Sequence, residues 1–122
     1  MSITEIAFSS YAVNDVGRAR SFYEGVLGLK PSSVFEENGM AFIEYQIGAH
    51  YFVIGKGAPA IEPGPTGGVV VFETDDFDGL VKKLKDAGAP FVMDAQDTGA
   101  CHMALVKDPD GNQLMIHRRK NR

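Results

Sequence analysis

The chain has a single cysteine, Cys101, so it can form no internal disulfide. No histidine is arranged as its partner, and Cys101 reads as a small buried residue rather than a nucleophile. No apolar run is long enough to span a bilayer, which argues against a membrane protein. The segment from Met1 to Ile6 lacks the basic and apolar regions of a signal peptide, so a cytoplasmic protein is expected. Positive charge is also scarce. Twelve Lys and Arg face sixteen Asp and Glu, a net charge of −4, which argues against nucleic acid as a partner because phosphate binding requires clustered cations. The one basic cluster, His117-Arg118-Arg119-Lys120-Asn121-Arg122, has no interleaved aromatic residues and reads as a solvated terminus.

What the chain does have is an internal repeat. The pattern from Phe8 to Gly28 falls on Val69 to Gly88, and Gly48-Ala49-His50-Tyr51-Phe52-Val53 matches Gly111-Asn112-Gln113-Leu114-Met115-Ile116. A repeat fixes the architecture before any residue is interpreted. At 122 residues, with 44% apolar and 23% charged side chains, the two halves must share one core. A single domain spanning 1–122 is expected, with module one at about 1–56, a linker at 57–66 and module two at about 67–122.

Each module reads as a strand, a helix and three strands. Ile6 to Asn14 is the first strand, with Phe8, Ser10 and Ala12 on one face and Ala7, Ser9, Tyr11 and Val13 on the other. Asp15 caps the helix that follows. Val16, Ala19, Phe22, Tyr23, Val26 and Leu27 recur at helical spacing, and Gly28 ends the run. Strands at Lys30–Phe35, Met40–Ile47 and His50–Ile54 follow, joined by turns at Glu37-Asn38-Gly39 and Gly48-Ala49. In module two Gly68–Thr74 is the first strand and Asp76 the cap. Phe77, Leu80, Val81, Leu84 and Ala87 form the helix stripe before Gly88, and strands follow at Pro90–Met93, Cys101–Lys107 and Gln113–His117. Three prolines and two glycines in 57–66 mark that stretch as the linker. The expected class is α+β, two paired βαβββ modules forming a curved mixed sheet around a central cavity.

Val13-Asn14-Asp15, Ala19-Arg20-Ser21-Phe22-Tyr23, Val26-Leu27-Gly28-Leu29 and Asp108-Pro109-Asp110-Gly111-Asn112, taken with the repeat, cover nearly the whole chain. In this order and spacing they resemble the vicinal oxygen chelate superfamily, which includes glyoxalase I, fosfomycin-resistance proteins, extradiol dioxygenases and bleomycin-resistance proteins. The resemblance implies a divalent metal in enzymatic members, held by the first and last strands of each module. Carried onto this chain, those positions are Phe8, Phe52, Val69 and Met115. Phenylalanine and valine have no lone pair to donate, and a thioether suits Cu(I) better than the ions this chemistry uses. No metal in the usual place and no cofactor are therefore expected.

The first reading is a metal-independent protein of the bleomycin-resistance type. Phe8, Phe52, Val69, Val71 and Met115 would line an apolar pocket for a small organic molecule, with Ser10, His50, Glu73 and His117 as polar anchors. Two enzymatic readings stand beside it. In one, His50, Glu73 and His117 hold a displaced metal; in the other, Glu73, buried against apolar walls with a raised pKa, acts as general acid or base without metal. A regulatory module whose cavity is filled by Phe8 and Phe52 is the remaining alternative. Glu44 and His102 are expected at the surface or sheet edge. The resemblance also implies a homodimer.

Overall fold

A computed structural model describes residues 8–57, 64 and 69–120. Strand β1 (Ser9–Ala12) leads into helix α1 (Val16–Arg20), which continues as a π-helical segment, Ser21–Val26. Strands β2 (Pro31–Glu37), β3 (Met40–Ile47) and β4 (His50–Lys56) complete module one. Module two contains β5 (Val70–Glu73), helix α2 (Phe77–Asp86), β6 (Phe91–Asp97), β7 (Cys101–Lys107) and β8 (Gln113–Arg119). The strand orders β1-β4-β3-β2 and β5-β8-β7-β6 are the same arrangement twice. The first strand of each module pairs parallel to its last, and all other pairs are antiparallel. The paired βαβββ architecture is borne out. All of the proposed linker except Gly57 and Gly64 lies outside the described residues.

Local chemistry explains the matching starts and stops. Asp15 accepts a hydrogen bond from the backbone N–H of Arg18 at 3.0 Å and Asp76 from that of Gly79 at 3.1 Å, each satisfying an orphan donor of the first turn. Gly28 and Gly88 both sit at φ 75°, the left-handed conformation that closes a helix and that a side chain would strain. Only α1 departs from the expected continuous α-helix. Its second half widens, with the Leu27 N–H reaching the Phe22 carbonyl at 3.0 Å, and Phe22 and Tyr23 are both buried there.

The helix-covered faces of both sheets merge into one core. Tyr11, Tyr23, Tyr45 and Phe52 from module one meet Leu84, Val106, Leu114 and Ile116 from module two. Phe52 stands edge-on to Phe72 across the module boundary, with ring centroids 5.4 Å apart. The Tyr11 hydroxyl is set into the opening of the β5–β8 ladder. It accepts from the Val70 N–H at 2.7 Å and donates to the Gln113 carbonyl, standing between two groups that would otherwise pair directly. Burial raises the Tyr11 pKa, so the hydroxyl keeps its proton for that bond.

Polar groups lock the same boundary. The buried Asp108 carboxylate accepts from the Tyr23 hydroxyl at 2.9 Å, from Asn112 Nδ2 at 2.9 Å, and from the backbone N–H groups of Asp110 at 2.9 Å and Asn112 at 2.8 Å. Asn112 Nδ2 also donates to the Ala12 carbonyl at 2.9 Å. Asp110 accepts from the Asn14 N–H at 2.8 Å and from Arg18 at 2.9 Å. The Asp-Pro-Asp-Gly-Asn turn is therefore the piece of module two that binds the β1–α1 corner of module one. Burial, then the nearby Asp108 charge, holds the Tyr23 phenol far above its ordinary 10.0, so it remains a donor. Tyr23→Phe should lower the urea midpoint by an amount equivalent to about 1–2 kcal/mol with the m-value unchanged, because Asp108 keeps its other donors. An unchanged midpoint would show that this bond does not contribute.

Candidate functional site

Strand alternation divides each sheet into a core face and an open face. On module one, Tyr11, Ala41, Ile43, Tyr45, Phe52 and Ile54 point to the core. The intervening residues Phe8, Ser10, Phe42, Glu44 and Val53, with Ser33 and Phe35 of β2, face a cleft of ≈ 350 Å³. A second cleft of ≈ 440 Å³ runs between the modules, walled by Phe8, Ile47, His50 and Tyr51 on one side and by Val69, Val71 and Glu73 on the other. On module two, Val71 stands opposite Met115 and Glu73 opposite His117, all on the open side of the strands whose Leu114 and Ile116 enter the core. A more open groove of ≈ 640 Å³, lined by Asp15, Glu36, Glu37 and Lys56, carries no apolar wall comparable to these.

The structure brings Phe8, His50, Val69, Val71 and Glu73 together along the inter-module cleft. Ser10 joins Phe8 in the other cleft. Met115 and His117 lie on the second sheet's open face, half-buried. Phe52 does not belong with them: it is 3% exposed, packed against Tyr11, Tyr23, Tyr45 and Phe72, and only grazes the inter-module cleft. The cause is the parallel register. Ser9 pairs with Phe52 while its repeat counterpart Val70 pairs with Leu114, so Phe52 corresponds to Leu114 and Val53 to Met115. Matching the two hairpins by their turn glycines misses this, because the two-residue turn at Gly48-Ala49 lets β4 extend one residue further toward its turn before that pairing begins. Phe35, Phe42 and Val53 are cleft residues that the sequence reading does not single out, although the alternation of Phe42 and Glu44 with Ala41, Ile43 and Tyr45 carries the signal. Glu44 lines a cleft rather than an outer edge, and the His102 ring lies 5.4 Å from that of Phe77.

Glu73 also departs from expectation. It is exposed, and its pKa is lowered from 4.5, first by the hydrogen bond to His117 and then by the Arg119 backbone N–H. The His117 Nδ1 to Glu73 Oε1 distance is 2.7 Å, and the Arg119 N–H reaches Oε2 at 2.8 Å. A carboxylate held ionised in this way is no general acid. It can only accept, so Nδ1 carries the shared proton and Nε2 is left free. His50 does not complete a site with this pair: among the described residues no three of His, Cys, Asp and Glu are placed to hold one ion.

A family model described as the glyoxalase/bleomycin resistance protein/dioxygenase superfamily matches residues 3–116. The chain belongs to this superfamily. Among solved structures similar to it is TnmS3, an antibiotic binding protein from Streptomyces sp. CB03234, with TM-score 0.80, 21% identity, and 98% of this chain and 99% of that one covered. A superfamily member from Sphaerobacter thermophilus DSM 20745 gives TM-score 0.74 at 22% identity, covering 96% and 98%. The fosfomycin resistance protein FosX from Listeria monocytogenes gives TM-score 0.74 at 14% identity, covering 98% and 97%. At these identities the likeness shows the fold. Comparison with curated proteins finds no match. The four positions that the resemblance assigns to a metal are occupied by Phe8, Val69 and Met115, with Val53 in place of Phe52, and these side chains present no hard donor. No helix among the described residues is long and apolar enough to cross a membrane.

The lowered Glu73 pKa fixes the sign of a pH effect. A depressed carboxylate adds stability that is fully present above its ordinary 4.5 and is lost as pH falls through the lower folded value. Wild type should therefore melt above Glu73→Gln at neutral pH, with the gap closing as pH falls below the ordinary 4.5 and through the lower folded value. A gap that persists in acid would show that the substitution acts through something other than the charge.

Proposed function

We propose that this chain is a small-molecule binding protein of the glyoxalase/bleomycin-resistance type that works without a protein-bound metal. The observation that carries the reading is the chemistry of the open faces. Phe8 is 57% and Val71 53% exposed, and Phe35 and Val69 are exposed beside them. Apolar surface gathered in clefts with a few polar groups is the composition of a ligand site. TnmS3, described as an antibiotic binding protein, is built on the same fold. The lone Cys101 is compatible with a cytoplasmic setting.

A homodimer is part of the same proposal. Val34 and Val92 on the outer strands, away from the clefts, leave apolar area that a second copy would cover. Light scattering should give twice the chain mass, and a monomer at all concentrations would remove this part of the reading.

Metal-free proton transfer is a second reading, favoured by the Glu73–His117 pair. A carboxylate on Nδ1 orients the imidazole and leaves Nε2 as the nitrogen available to act as a base. This reading requires turnover of a bound molecule that His117→Gln abolishes without loss of affinity.

The binding reading is tested by titrating acridine, a neutral flat aromatic, into EDTA-treated protein and following its fluorescence. Saturable binding unaffected by EDTA is expected, weakened about tenfold by Phe42→Ala. Binding that requires an added divalent ion would overturn the reading.

A further inference from the structure

The module-one cleft has a polarity that its apolar walls do not account for. Glu44 reaches it from the middle of β3, between Ser33 on β2 and Val53 on β4. The carboxylate is half-buried, and its side-chain contact is a long 3.4 Å approach from the Ser32 hydroxyl. Among the described residues no Lys, Arg or His forms an ion pair with it. The acids Asp15, Glu24, Glu73 and Asp110 are each engaged by a cation or a backbone N–H. Glu44 is thus a charge held against an apolar wall with nothing opposite it, an arrangement that attracts a cation more strongly than an exposed carboxylate does.

The wall beside it is aromatic. The Phe35 and Phe42 rings lie with centroids 6.1 Å apart and planes tilted by 33°. Phe42 leans across β4 at Gly55, where a Cβ would come within 2.9 Å of its Cδ1 and 3.0 Å of its Cε1. The glycine makes room for the ring at the cleft. Aromatic rings and a carboxylate around one space are the elements that bind organic cations, through cation–π attraction and charge.

We propose that the cleft formed by Glu44, Phe35, Phe42 and Phe8 selects a flat organic cation, such as an N-alkylated aromatic ring, over the neutral ring of the same shape. This rests on the small-molecule binding reading and adds the class of ligand. The overall charge of −4 would draw cations toward the protein without choosing a site, so the test must separate that general attraction from Glu44.

The probes are 10-methylacridinium and acridine, compared by fluorescence titration at mildly alkaline pH, where acridine is neutral. The cation is expected to bind wild type about tenfold more tightly than acridine, and Glu44→Gln to bring the two affinities together by weakening the cation. Glu36→Gln, on the opposite face of β2 from Phe35, should preserve the preference. Equal affinities in wild type, or a preference that survives Glu44→Gln, would overturn the cation selectivity while leaving the binding reading intact. If neither dye binds, both readings fail. Exclusion of the cation together with a dimer that loosens in Glu44→Gln would place a partner's cation on Glu44 and overturn the proposal.

Discussion

The two halves of this chain are held as one body by a buried carboxylate. Asp108 gathers four hydrogen-bond donors, one of them the Tyr23 hydroxyl from the opposite module. Asn112 in the same turn reaches the Ala12 carbonyl at the end of β1. A buried acceptor of this kind is costly if any donor is withdrawn and contributes little net stability when all are present, so its main effect is on geometry. It fixes where β8 sits against β1, and hence how the open faces of the two sheets are set relative to each other. The Tyr11 hydroxyl between Val70 and Gln113 makes a second fixed point on the same boundary.

With the boundary fixed, strand alternation assigns every side chain to the core or to a cleft. The core face takes the rings of Tyr11, Tyr23, Tyr45 and Phe52 and the aliphatic residues beneath α2. The open faces keep Phe8, Phe35 and Phe42 together on one module and Val69, Val71 and Met115 on the other. A fold that in the superfamily's enzymes presents metal ligands at such positions here presents hydrocarbon and aromatic surface. The residual polar groups are Glu44 in one cleft and the Glu73–His117 pair in the other module.

Much of this was legible in the sequence, because the features concerned are local. The caps Asp15 and Asp76, the stop glycines Gly28 and Gly88, and the bounds of β3 and β7 follow from residue type and spacing. The repeat then implied that the second module copies the element order of the first. What was not legible depended on long-range register. Whether Phe52 or Val53 meets the cleft is decided by pairing with β1, some forty residues away, and the turn glycines do not carry that information. The exposed setting of Glu73 and its partner on the next strand follow from the same non-local pairing, and they reverse the pKa direction expected of a buried carboxyl. The π-helical widening after Arg20 leaves no mark in the apolar spacing, which an α-helix would satisfy equally well.

The central claim is that this member of the superfamily presents binding faces without metal chemistry. Native mass spectrometry of protein purified without chelator tests it most directly. The account predicts subunits free of stoichiometric divalent metal, retaining an organic mass where a ligand has been carried through purification. One divalent ion per subunit, lost together with ligand affinity on chelation, would contradict it.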